Sequence, residues 1–192
     1  MQSWLSRSAR LARRSPIDAA LAFAALLVGL YVIGAPLVAS RYPAITDLPV
    51  HAASTATLRH YFDPSYHFRE QFEVHPLAVP YMSMYAIGAF LMLFLPMLTA
   101  VKVASAILLA LLPLGLAVLF HGMKKSPLLG MTGLGFVWCN LTQWGFLNFI
   151  GALGLFAMAV GLALLLVDKP TRARKLALSA TLVLLFFTHV FR

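Results

Sequence analysis

Residues 19–39 carry no charge, and four arginines, Arg7, Arg10, Arg13 and Arg14, stand directly ahead of them. A helix needs about 20 apolar residues to cross the hydrocarbon core of a bilayer, and this run meets that length. Further apolar runs follow at 77–96, 99–120, 128–138, 146–167 and 176–191. A water-soluble fold of 192 residues has too little interior to hide a chain that is 61% hydrophobic and 11% charged. Lipid removes the difficulty, because it is itself the apolar solvent. No pattern of short alternating strands is present, and a helix satisfies its own backbone within lipid. The expected fold is all-α: a polytopic transmembrane helical bundle of about five spanning helices plus a re-entrant or juxtamembrane helix, with one long outer loop.

The net charge of +9 does not point to nucleic acid. The basic residues form no patch interleaved with aromatics; they flank apolar runs, where they set orientation. Residues 1–16 therefore read as a cytoplasmic basic N-terminus and 17–39 as the first span. The run is longer than a signal-peptide core, and Leu37 is a poor partner for Ala39 in a cleavage site, so the span reads as uncleaved. Residues 40–78 form the outer loop and 79–192 the remaining helices of one membrane domain. The expected location is a membrane, crossed several times, with the N-terminus in the cytoplasm. A single cysteine, Cys139, excludes an intrachain disulfide.

Parity orders the crossings. Lys124-Lys125 and the block Lys169, Arg172, Arg174, Lys175 are expected inside. An odd number of crossings must then separate the outer loop from Lys124, and two apolar runs lie between. The run 77–96, bracketed by Pro80 and Pro96 with Tyr81 and Tyr85 suited to the interface, is expected not to cross fully. The rival arrangement has two full crossings there and Lys124-Lys125 outside. Beyond Lys125 the chain is expected to go out through 128–138, turn at 140–144, return through 149–167 and leave again through 176–187. Gly151, Gly154, Ala157 and Gly161 recur at helical spacing, which lets a neighbouring backbone come close.

The outer loop holds four of the six acids (Asp47, Asp63, Glu70, Glu73) and four of the six histidines (His51, His60, His67, His75). Thr46/Asp47 ahead of Leu48-Pro49 reads as a helix start, a capping side chain followed by proline in the first turn. A helix from 48 to about 62 places Leu48, Ala52, Thr55 and Arg59 on one side and suits a membrane surface. Asp47 and His51 share a face at four-residue spacing, where they can bind a divalent cation or form an acid/base pair. The plainer reading is that Asp47 caps the helix and His51 meets headgroups. Asn140, Gln143 and Asn148 place amides at the outer surface, suited to a polar headgroup or sugar, or to capping helices. Asn140-Leu141-Thr142 also matches a glycosylation sequon.

Several short motifs occur in an order that resembles bacterial GT-C-type membrane proteins. These are Asp47-Leu48-Pro49-Val50-His51 in the first outer loop, His75-Pro76-Leu77 before Tyr81 and Tyr85, and Leu95-Pro96 before Thr99-Ala100-Val101-Lys102. Trp144-Gly145-Phe146-Leu147-Asn148-Phe149 and Thr188-His189 complete the series. The likeness runs from about residue 17 to the end. It implies a glycosyltransferase-like protein that takes sugar from a polyprenyl-phosphate donor at the outer face, with Asp47 as base or metal contact. His51 would assist, Mg or Mn is the divalent cation implied, and the partners are the bilayer and the lipid-linked sugar. Arg59 and Arg69 are assigned to the phosphate, and Asn140, Gln143, Asn148 and His189 to substrate, from their place at the outer face. Many members carry a second acid beside the first, where this chain has Leu48. Members are also commonly longer, so the chain is expected to be the N-terminal part of a longer protein without transfer activity of its own. The competing class is a non-enzymatic membrane protein, such as a transporter segment or an assembly factor. Lys102 is the only charge well inside the apolar runs, which counts against a transporter.

Overall fold

A computed structural model describes residues 15–75 and 80–189. The four N-terminal arginines, the Pro76-Leu77 step and residues 190–192 lie outside the described residues. All regular structure among the described residues is helical. Helix α1 spans Pro16–Ala39, α2 Leu48–Arg59, α3 Phe68–Gln71, α4 Ser83–Leu91, α5 Met97–Gly122, α6 Leu134–Val137, α7 Asn140–Trp144, α8 Leu147–Asp168 and α9 Arg172–Thr188. Short 3₁₀ segments cover Pro64–Tyr66 and Pro127–Gly133. Three helices, α1, α5 and α8, are long and apolar enough to cross a membrane. The run 128–138 instead divides between the second 3₁₀ segment and α6. Helix α9 has 17 residues, and α4 has nine, a rise of roughly 14 Å against a core of about 30 Å.

Helices α5 and α8 form the centre. Gly115 faces Gly154 and Gly122 faces Gly161, so the pairing advances in the same direction along both and the two helices run parallel. At their C-terminal ends Lys124 Nζ meets the Asp168 carboxylate at 2.9 Å. Parallel neighbours require a return path, and residues 123–146 supply it. Gly130 and Gly133 lie against Pro113 and its neighbours on α5, a closeness of backbones that only residues without a Cβ allow. Helix α9 then packs back along α8. Its Arg174 guanidinium donates to the Leu165 carbonyl, which also accepts the Lys169 N–H, and to the Lys169 carbonyl at 2.9 Å, tying the start of α9 to the end of α8.

Helix α1 leans on this centre at its C-terminal half. Pro36 has no N–H, so the Val32 carbonyl loses its partner within the helix. The Trp138 indole N–H donates to that carbonyl at 2.7 Å. Lys102 Nζ donates to the Ser40 carbonyl at 2.6 Å, which brings the end of α1 beside the start of α5. The N-terminal half of α1 stands away from α5, leaving an apolar cavity of about 610 Å³ lined by both helices and by residues 127–134.

The end of the bundle opposite Lys124 and Asp168 gathers Ser40, α2, α4, α7 and the start of α8. Leu48, Ala52 and Thr55 are buried on α2, as their shared face requires, and the Thr55 side chain packs on Gly88 of α4. Helix α2 is therefore embedded in the bundle on this face rather than simply laid on a surface. It ends at Arg59, three residues before the expected position, because Asp63 N–H bonds the His60 carbonyl and turns the chain. Residues 60–72 form a small aromatic knob. Tyr66 stacks on Phe68 at 5.3 Å, and the Arg69 guanidinium lies 5.5 Å over Phe62.

Candidate functional site

The site grows from the way the N-terminus of α2 is tied to the α7–α8 junction. Residues 140–144 form one short helix instead of the expected turn, and Gly145 reverses the chain with φ +105°, a left-handed conformation that favours glycine. The Thr46 N–H donates to the Gln143 carbonyl at 2.7 Å. Gly145 packs on Asp47 so closely that a Cβ there would lie 2.6 Å from the Asp47 Cβ.

Asp47 occupies the N-cap position of α2, yet its side chain makes no capping bond. The expected cap is thus absent. Proline at the second helical position removes one of the N–H groups that a capping carboxylate would reach. The residue is exposed, and its carboxylate forms no hydrogen bond or ion pair with any described residue.

One turn later His51 bridges three elements. Its Nε2 lies 2.9 Å from the Gly145 carbonyl and its Nδ1 lies 3.2 Å from the Tyr85 hydroxyl. A carbonyl only accepts, so Nε2 carries the proton; in the neutral ring Nδ1 is then the acceptor and Tyr85 the donor. Burial raises the Tyr85 phenol above its ordinary 10.0, a hydrogen bond from Ser54 works against that rise, and the Asp47 charge adds to it. The phenol therefore stays protonated and able to donate. The Thr55 hydroxyl bonds the His51 carbonyl at 2.7 Å and completes the anchoring of this turn.

No protein-family model, curated protein or solved structure matches this chain. The site is accordingly read from its own geometry.

The remaining sequence-derived candidates divide. Asn148 is buried, its Nδ2 donates to the Tyr81 carbonyl at 3.2 Å, and its Oδ1 has no partner among the described residues. His189 packs edge-on against Tyr81 at 4.7 Å and Phe149 at 5.3 Å. Ser83 and Thr188 share a hydrogen bond of 2.8 Å beside them. Asn148 and His189 thus belong to a polar seam joining α4, α8 and α9. Gln143 contributes its carbonyl, while its side chain and that of Asn140 are exposed. Arg59 and Arg69 are not brought to Asp47. Arg59 lies at the far end of α2, a rise of roughly 17 Å, with its Nε buried and unpartnered among the described residues; Arg69 sits in the aromatic knob.

Of the two residues expected to hold a divalent ion, the Asp47 carboxylate is free among the described residues, whereas His51 has both ring nitrogens engaged. No three His, Cys, Asp or Glu side chains converge on a metal position among the described residues. The donor set does not fit a protein-built metal centre. Tyr85 and Gly145 are neighbours of His51 that the sequence did not single out as site residues. Tyr85 reads there as an interfacial aromatic and Gly145 as part of a motif, because partners 34 and 94 residues distant from His51 leave no local pattern.

Proposed function

We propose that this protein is a membrane-embedded glycosyltransferase-like enzyme that transfers sugar from a polyprenyl-phosphate donor at the outer face of the membrane. In this reading the basic N-terminus faces the cytoplasm, and the segments 128–138 and 176–187 complete five crossings with α1, α5 and α8. The observation that carries it is the Asp47 carboxylate: exposed at a helix start, making no capping bond and unpaired among the described residues. A carboxylate kept as a cap or as a salt-bridge partner would be spent in structure. This one is available as a base.

In the reaction the acceptor hydroxyl gives its proton to Asp47 as its oxygen bonds the anomeric carbon. The bond between that carbon and the phosphate oxygen breaks, and polyprenyl phosphate leaves. The negative charge it gathers calls for a cation. Arg41, just past the end of α1, and Lys102 of α5, whose Nζ bonds the Ser40 carbonyl, are the cations assigned to that role here. Exchanging Asp47→Asn keeps the side chain's shape but removes the base. Transfer from a polyprenyl-phosphate sugar by membranes carrying the full-length protein is expected to fall to background, with expression and insertion unchanged. Retained transfer in the Asp47→Asn protein would refute the assignment.

A further inference from the structure

We propose that His51 and Gly145 act as a positioning pair for Asp47, and that His51 is neither the acid/base partner nor a metal ligand. The pair rests on the Asp47 assignment above for its purpose, but its geometry stands independently. Three contacts hold the first turn of α2 against the α7–α8 junction. They are Thr46 N–H to the Gln143 carbonyl at 2.7 Å, His51 Nε2–H to the Gly145 carbonyl at 2.9 Å, and the Gly145 Cα face against Asp47. On the other side the Tyr85 hydroxyl closes on Nδ1 at 3.2 Å and ties the same ring to α4.

An imidazole with both nitrogens committed has no lone pair for a metal and no open site for a travelling proton. It is a rigid spacer of fixed tautomer. Gly145 is indispensable on two counts: its φ of +105° disfavours a side chain, and the space a Cβ needs is already held by Asp47. The pair sets where the carboxylate stands, and the carboxylate does the chemistry. Glutamine can reproduce the spacer's pattern, since its amide N–H can reach the Gly145 carbonyl while its amide oxygen accepts from Tyr85. It cannot reproduce an imidazole's acid/base or ligand chemistry.

The test uses the full chain with Cys139→Ser and Asp47→Cys, and reads the rate of maleimide alkylation at position 47. Relative to His51, the His51→Gln change is expected to hold the rate within about twofold, and His51→Ala or Gly145→Ala to raise it about tenfold, as the loss of ordinary hydrogen bonds implies. Should His51→Ala fail to fold, Tyr85→Phe, which removes one hydroxyl only, is expected to raise the rate in the same direction. In parallel, with Asp47 intact, His51→Gln should retain sugar transfer from the polyprenyl-phosphate donor while Gly145→Ala loses it. Equal alkylation of the His51→Gln and His51→Ala proteins would overturn the positioning role. So would a His51→Gln protein whose position 47 stays restrained while transfer disappears, since that outcome assigns chemistry to the ring itself. If membranes carrying the full-length protein with Asp47 and His51 intact show no transfer but alkylation follows the expected order, the transferase reading fails and the positioning pair stands.

Discussion

Replacing Gly161 by alanine tests the central packing of the bundle. A Cβ on Gly161 would lie 2.5 Å from the Val118 carbonyl oxygen and 2.7 Å from the Leu119 Cα, whereas ordinary contact begins at 3.4 Å. The obstructing atoms are backbone, so no side chain can swing aside, and α5 and α8 must part by about 0.9 Å. A gap of that size forfeits roughly a quarter to a half of the dispersion energy along the affected contacts. Overpacking of this kind costs about 1–3 kcal/mol. Gly29 of α1 is the control, because nothing lies within 4 Å of a Cβ there. Both changes gain the same helix propensity, about 1 kcal/mol, so their difference isolates the packing cost. Reversible unfolding in mixed micelles, followed by helicity, should show the Gly161→Ala protein less stable than the Gly29→Ala protein by about 1–3 kcal/mol. Equal midpoints would mean that the two helices do not meet at these glycines.

Three further outcomes are expected. With Cys139 replaced and single cysteines at Ser65, Ser126 and Thr171, an impermeant maleimide on intact cells should label only the Ser65 site; labelling at Ser126 would require two full crossings between residues 77 and 120. Trp138→Phe leaves the Val32 carbonyl without its donor and should cost about 1–3 kcal/mol, and adding Pro36→Ala should recover most of it by restoring an intrahelical N–H; no recovery would show that the indole acts by packing alone. Asp63 is held below its ordinary 3.8, first by the Ser65 hydroxyl, then by the Ser65 N–H, with His60 adding to them. A depressed carboxylate stabilises the folded loop above 3.8 and loses that contribution as pH falls through the lowered value. Ser65→Ala should therefore move the Asp63 titration midpoint upward by NMR, and an unmoved midpoint would exclude the hydroxyl as the cause.

The class of this protein was legible in the sequence, because the length of an apolar run is a local property and lipid rewards it directly. The buried side of α2 and the small-residue face of α8 were legible for the same reason: residues three and four apart share a face whatever surrounds them. Asp47 and His51 could be picked out, one turn apart at a helix start. Their roles could not. Thr46/Asp47 ahead of Leu48-Pro49 suggested a cap, but only the tertiary structure decides that the carboxylate makes no capping bond while Gly145 presses on its Cβ. The tautomer of His51 depends on a carbonyl and a phenol far off in the chain, and Val32 finds its donor in Trp138 for the same kind of reason. Such pairings are set by which helices pack together in three dimensions, and backbone contact through glycine leaves no complementary side chain to announce the partner. Arg59 illustrates the converse: it shares the outer loop with Asp47 in sequence, and the straight rise of α2 carries it to the other end.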